Sequence, residues 1–89
     1  MKEEQGPRFE ENYRQLEATI PSMVRNPGYY KVFDEFVDED EFGLALDTVL
    51  DYLEEDRSAS LSISAIAILE WLHSAMCLNP ERFHGLIRR

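Results

Sequence analysis

Residues 40–56 carry two helical faces of opposite character, and this periodicity constrains the fold of the chain more than any other feature. Apolar residues recur at steps of three and four, which is the spacing of one side of an α-helix: Phe42, Leu46, Val49, Leu50 and Leu53. Carboxylates recur at the same steps on the other side: Asp47, Asp51, Glu54 and Glu55. Like charges one turn apart repel by about 0.2–0.5 kcal/mol per pair, so the acidic side needs an explanation beyond helix formation.

The rest of the chain also has helical periodicity, and no segment alternates as a strand would. The sequence therefore predicts an all-α fold, a compact bundle of four to five short helices. Residues 1–6 are expected to form a disordered N-terminus, and residues 7–89 a single helical domain. The predicted helices cover residues 7–19, 29–37, 40–56, 61–78 and 81–87, and one helical turn could lie between Pro21 and Pro27.

Helix ends and packing can be predicted from the same pattern. Asp40 is expected to cap the 40–56 helix, and Ser60 or Ser62 the following one. The 61–78 helix has an apolar arc about 200° wide on a helical wheel, so it is expected to be the central helix. His73 and Cys77 fall on its narrow polar arc.

Negative charge is concentrated in residues 34–56, which hold 11 acidic residues and no Lys or Arg within a net charge of −9. Such a block argues against nucleic acid as a ligand, because phosphates would be repelled. It could instead attract a basic protein by long-range steering. The alternative is a solvated face that keeps the protein soluble.

Cys77 is the only cysteine, so no disulfide can form within one chain, and a single thiol fits a reducing cytosol. The N-terminus has no apolar run typical of a signal peptide, and no stretch reaches the length of a membrane span. We therefore expect a cytoplasmic protein. Because 89 residues form only a modest core, a homodimer could supplement its stability.

Residue patterns typical of catalysis or metal binding are weak. Glu70/His73 and Glu81/His84 have the spacing used in di-metal bundles, but such sites need long helices with inward ligands, so surface Glu–His contacts are expected. Cys77 has no motif around it, and the four glycines form no phosphate loop. The sequence predicts a non-enzymatic protein without metal or cofactor.

Tyr52 lies within the acidic stretch and is expected on its outer side, where an aromatic residue favours protein binding over a purely solubilising role. The predicted binding surface comprises Asp38, Glu39, Asp47, Asp51, Tyr52, Glu54, Glu55 and Asp56.

The run Asp40-Glu41-Phe42-Gly43-Leu44-Ala45-Leu46-Asp47 resembles the "(G/D)E-x-G-L-A-L" helix of MafI-type immunity proteins of bacterial polymorphic toxin systems. Leu50 and Leu53, the acidic helix end, the Leu61-Ser62-Ile63-Ser64 segment and a helix ending in 72–78 extend the similarity over residues 38–78. Here Phe42 stands between the acid and Gly43, and residues 1–37 match nothing in the pattern.

The resemblance implies an immunity protein that binds the toxin domain of a secreted or contact-delivered effector and blocks it. Many such toxins are basic nucleases, and an acidic face would then mimic the phosphate backbone. The alternative is a structural or adaptor subunit that forms a helical homo- or hetero-oligomer. High salt should weaken the acid-driven complex and leave an apolar one intact or tighter.

Overall fold

A computed structural model describes residues 2–56 and 61–88, with the side chains of 8–56 and 61–87. These ranges form six helices and contain no strand, which confirms the predicted all-α fold. The predicted number of four to five helices was too low, because the turn between Pro21 and Pro27 is a helix of its own. The helices are α1 Lys2–Thr19, α2 Pro21–Val24, α3 Pro27–Asp38, α4 Phe42–Glu55, α5 Ile63–Ala75 and α6 Glu81–Arg88.

Two helices begin earlier than the sequence predicted, and a third has one of its two predicted caps. The first, α1, starts at Lys2, five residues before the predicted start at residue 7. The backbone N–H of Tyr29 donates to the side chain of Asn26 over 3.5 Å, and α3 therefore starts at Pro27, two residues early. Ser62 caps α5 by accepting a hydrogen bond from the Ala65 N–H at 3.1 Å, while Ser60 lies outside the described residues.

The end of α3 is a left-handed turn built on a residue other than glycine. Asp40 has a φ of 59°, its N–H donates to the Val37 carbonyl over 3.1 Å, and the Glu41 N–H donates to Phe36 over 2.8 Å. Asp40 therefore closes α3, and the prediction that it caps α4 was wrong. The N-cap position of α4 is held by Glu41, whose side chain forms no cap hydrogen bond.

The same turn ends α5, three residues before the predicted end of this helix. Cys77 has a φ of 56°, and its N–H donates to the Ser74 carbonyl over 3.1 Å. The Leu78 N–H reaches back to the His73 carbonyl over 2.9 Å. Glycine is the usual residue here, since a Cβ in the left-handed conformation costs roughly 1–2 kcal/mol.

The centre of the core is α4, and the prediction that the 61–78 helix is central was wrong. Within α5 only four residues are buried, and Ala67, Trp71 and Leu78 from its predicted apolar arc are exposed. By contrast, half of the 14 residues of α4 are buried: Ala45, Leu46, Thr48, Val49, Leu50, Tyr52 and Leu53.

His73 is buried in the contact between α5 and α6, although the wheel placed it on the polar arc. Its side chain is 4% exposed, and its Nδ1–H donates to the Leu69 carbonyl over 2.8 Å. The imidazole stacks on the ring of Phe83 with centroids 5.2 Å apart. The predicted surface pair with Glu70 is therefore wrong, and His73 acts as a core residue that holds α6.

A row of stacked and tilted aromatic rings joins α5, α1, α4 and α3. The rings follow one another in the order Trp71, Phe9, Phe42, Tyr13, Phe33 and Tyr30. The centroids of successive rings are 5.5 Å, 5.2 Å, 5.7 Å, 5.8 Å and 6.2 Å apart. Such ring pairs add about 0.5–1.5 kcal/mol each beyond the area they bury. The hydroxyl of Tyr13 also donates to the Phe42 carbonyl over 2.5 Å, so the row is anchored at its middle.

Replacing Cys77 by glycine should stabilise the protein, because glycine adopts the left-handed conformation without steric cost. After allowance for the greater flexibility of the unfolded chain, we expect a gain of about 0.5–1 kcal/mol in unfolding free energy. Urea unfolding followed by circular dichroism would measure it. Cys77→Ala is the matched control, since it removes the thiol but keeps the Cβ. Equal stability of the two variants would contradict the explanation.

Stability should fall above pH 10 because Tyr13 cannot ionise easily in the folded chain. Burial, with a contribution from the charge of Asp47, raises the pKa of Tyr13 well above its ordinary value of 10.0. Below that value both states are protonated and stability is complete; above it only the unfolded state loses the proton. We expect a loss of about 1.4 kcal/mol per pH unit from this group. Urea unfolding between about pH 8 and 11 should give Tyr13→Phe a shallower decline than the wild type.

Candidate functional site

The acidic side of α4 is bound by one arginine from α6. Arg82 donates to Asp51 Oδ1 over 2.5 Å and to Glu54 Oε2 over 2.6 Å. The carboxylate of Asp47 lies 4.0 Å from the same guanidinium. The hydrogen bonds to Glu54 and Asp51 raise the pKa of Arg82 further, so it stays charged. Carboxylates spaced one turn apart thus form a receptor for a single guanidinium.

A second arginine binds the acidic residues of α3 and joins this helix to α1. Arg14 lies 2.6 Å from Glu17 on its own helix, 2.6 Å from Asp34 and 3.0 Å from Asp38. Partial burial lowers the pKa of Arg14, but the hydrogen bonds to Glu17 and Asp34 outweigh it and raise the pKa above the ordinary value. In both clusters one cation is shared by three carboxylates, so the surface remains acidic.

The predicted binding residues occupy several different environments. Asp47, Asp51 and Glu54 are brought together around Arg82, while Asp38 pairs with Arg14 at the other end of the acidic segment. Glu39 is exposed at the C-cap of α3, and Glu55 is exposed in the last turn of α4. Asp56 is half-buried at the C-cap of α4.

Tyr52 lies on the inner side of α4, so its predicted exposed position was wrong. It is 2% exposed, and its hydroxyl donates to Asp56 Oδ2 over 2.7 Å and lies 2.6 Å from the hydroxyl of Ser22 on α2. Burial raises the pKa of Tyr52. The position of Tyr52 among acidic residues predicted an anchor for a partner. The structure shows instead that Tyr52 connects α4 to α2 and is almost inaccessible to solvent.

An open pocket of about 250 Å³ lies between α3 and α4, next to the carboxylates of α4. Tyr29 and Val32 form an apolar wall, and Asp51 contributes a carboxylate. The remaining lining residues are Asn26, Gly28 and Thr48.

Tyr29 is the partly exposed aromatic residue of this surface, a position that was predicted for Tyr52. Its ring is half-buried and meets that of Tyr52 edge to face at 5.5 Å. Burial raises the pKa of Tyr29, and the negative charges of Glu55 and Asp51 raise it further. Glu55 forms no ion pair with any residue the structure describes, so its charge is available to a partner.

Sequence reasoning missed both arginines and the pocket. Arg14 and Arg82 are 20 to 35 positions away from the α3 and α4 carboxylates they bind, so no local spacing predicts these pairs. The absence of basic residues in 34–56 suggested an unpaired block, whereas its partners come from the two ends of the chain. The Asn26-Pro27-Gly28 sequence marked the helix start beside the pocket but gave no sign of a cavity.

Within the described part of the chain, no three His, Cys, Asp or Glu side chains are grouped closely enough to hold a metal ion. Cys77 is a free, exposed cysteine. No helix in the described ranges is both long and apolar enough to cross a membrane. The surface of α3 and α4 presents carboxylate oxygens that can accept hydrogen bonds, next to the apolar wall of the pocket.

Comparisons with protein-family models, curated proteins and solved structures give no match to this chain. The resemblance to MafI-type immunity proteins therefore stays a prediction.

Replacing Arg82 by glutamine should destabilise the fold, because three carboxylates of α4 would lose their shared cation. Solvent screens these exposed groups, so we expect a loss of about 1 kcal/mol at low salt and a smaller loss in concentrated salt. Lys31→Gln is the control of equal charge change, since Lys31 is exposed on α3. Thermal unfolding of both variants at two salt concentrations would check this. A salt-independent loss would point to packing as the cause.

Proposed function

We propose that this chain is a non-enzymatic immunity protein that binds a basic bacterial toxin domain, of nuclease type, through the acidic surface of α3 and α4. The observation that carries the proposal is the position of Asp51 and Glu55 beside Tyr29 and the pocket. No cofactor, nucleic acid or membrane takes part in this role, and the site of action is the cytoplasm.

The pocket suits the side chain of a lysine or arginine. Such a side chain has an apolar stem, which can pack on Tyr29 and Val32, and a charged head, which can reach Asp51 in the pocket lining. The charge of Glu55, which acts on Tyr29, adds to the attraction. Charge-assisted hydrogen bonds of this kind are roughly twice as strong as neutral ones. A basic residue of the toxin would therefore bind with both its stem and its head.

The contact of Arg82 with α4 supports the same proposal, because it is an internal example of the recognition. One guanidinium bridges Asp51 and Glu54 at hydrogen-bond distance, so the helix presents its carboxylates at a spacing that a guanidinium can span. A partner surface with several basic residues would extend this pattern along α4.

Net charge supports fast association. A chain of net charge −9 attracts a basic protein over several ångströms, and its acidic face can occupy the groove in which the toxin holds phosphates. High salt should then slow association.

We expect Glu55→Lys to slow association with the toxin at least tenfold at low salt, because it reverses a charge that no ion pair among the described residues uses. The probe is the basic toxin domain encoded beside the gene of this chain, measured by stopped-flow fluorescence. Glu10→Lys, on the exposed side of α1, carries the same charge change away from the pocket and should have a small effect. Asp51→Lys would be less informative, because it also breaks the contact with Arg82.

Growth of cells that express the toxin domain provides the functional measurement. Co-expression of the wild-type chain should restore growth, and Glu55→Lys should restore it less well than Glu10→Lys. Failure of the wild-type chain to bind the toxin domain or to protect cells would overturn the proposed function. An affinity loss of less than twofold for Glu55→Lys would overturn the assignment of the surface.

A second candidate function, a structural or adaptor subunit, is favoured by a different observation. The outer side of α5 is exposed and apolar, with Ile63, Trp71 and Leu78 accessible. Binding through this face should tolerate high salt, unlike binding through the acidic surface.

A further inference from the structure

The outer face of α5 is an apolar strip that the helices of the described ranges leave largely exposed, although Trp71 at one end packs partly on Phe9 of α1. Ile63 is 87% exposed and Trp71 is 36% exposed, and Ala67 lies between them one turn from each. On a helical wheel Ala67 points directly away from the buried side of α5, which is formed by Ala65, Leu69 and Leu72. Leu78 extends the strip beyond the end of the helix.

Charge distinguishes this strip from the rest of the molecule. Glu70 is the only Asp, Glu, Lys or Arg between residues 61 and 80, whereas the whole chain carries 18 acidic and 9 basic residues. Two copies of a chain with net charge −9 repel over most of their surfaces. Their least unfavourable approach is through α5, where burial of apolar side chains can offset the remaining repulsion.

The order of residues along the strip is self-complementary. If two α5 helices run antiparallel and cross at Ala67, Ile63 of each copy faces Trp71 of the other, four residues on either side of the crossing. Ser64 then faces Glu70, so the single carboxylate meets a hydroxyl and not a second carboxylate. The small side chain of Ala67 lets the helix axes approach to about 8 Å.

We propose that the strip binds a second copy of this chain in an antiparallel α5–α5 pair. With 13 residues the helix is about 20 Å long, so the pair buries less than the roughly 800 Å² per partner of a stable interface. The dimer is therefore weak and depends on concentration, with dissociation in the micromolar range or above. The strip does not include the α3–α4 pocket, so dimerisation does not depend on the proposed toxin binding.

Salt gives the two interactions opposite signatures. Screening reduces the repulsion between two acidic copies, so the dimer becomes tighter as salt rises. The complex with a basic toxin becomes weaker under the same change. Failure of one proposal can therefore be distinguished from failure of the other.

Sedimentation velocity over a wide range of protein concentration tests the proposal. We expect reversible dimerisation of the wild type, with Ala67→Glu weakening it at least tenfold because it places two carboxylates at the crossing. Ala18→Glu, an identical substitution at an exposed position of α1, should leave the dissociation constant unchanged. Circular dichroism of both variants excludes unfolding. A monomer at every concentration, or equal effects of the two substitutions, would overturn the proposal.

The antiparallel register has its own test. Ser64→Lys places a cation opposite Glu70 of the other copy and should tighten the dimer more than Gln15→Lys, which changes the net charge equally on α1. Equal effects would overturn the antiparallel register. Trp71 is the only tryptophan, so its emission should shift to shorter wavelength as the concentration of protein rises. Constant emission across the dimerisation range would contradict the burial of Trp71 in the pair.

Discussion

The arrangement of helices depends on the aromatic row that runs from Trp71 to Tyr30. The first helix, α1, contributes Phe9 and Tyr13 to its middle, and through them α5 is joined to α4 and α3. A chain of 89 residues has a small core, and large rings fill it with few side chains and little loss of rotamer entropy. Because α5 is attached along one side only, its opposite side remains outside the core.

Local periodicity was sufficient to predict five of the six helices in the described ranges, because a helix forms through contacts three and four residues apart. It identified the buried positions Leu46, Val49, Leu50 and Leu53 of α4. It wrongly predicted that α5 is the central helix, because the width of an apolar arc does not measure how much of a helix is buried. A wheel shows which side chains share a face but contains no information on how many neighbouring helices are present, and only the tertiary structure supplies that number.

The acidic surface was predicted in outline and was incomplete in its detail. The position of the charged residues on α4 follows from their spacing, but their counterions are fixed by the fold alone, since α6 and α1 deliver Arg82 and Arg14 from the ends of the chain. Tyr52 was misplaced for the same reason: its hydroxyl is satisfied by Ser22, thirty residues earlier. Polar residues that meet across long sequence separations produce no pattern that a single sequence displays.

Arg82 has a further consequence for selectivity. Since α6 places this guanidinium beside α4, an outside cation competes with an intramolecular one whose effective concentration is in the millimolar range or above. A surface with several cations, held rigidly at matching intervals, can bind Glu55 and the pocket first and then exchange with Arg82. Under the proposed function, Arg82 on the last helix would favour partners that carry several cations over partners that carry one.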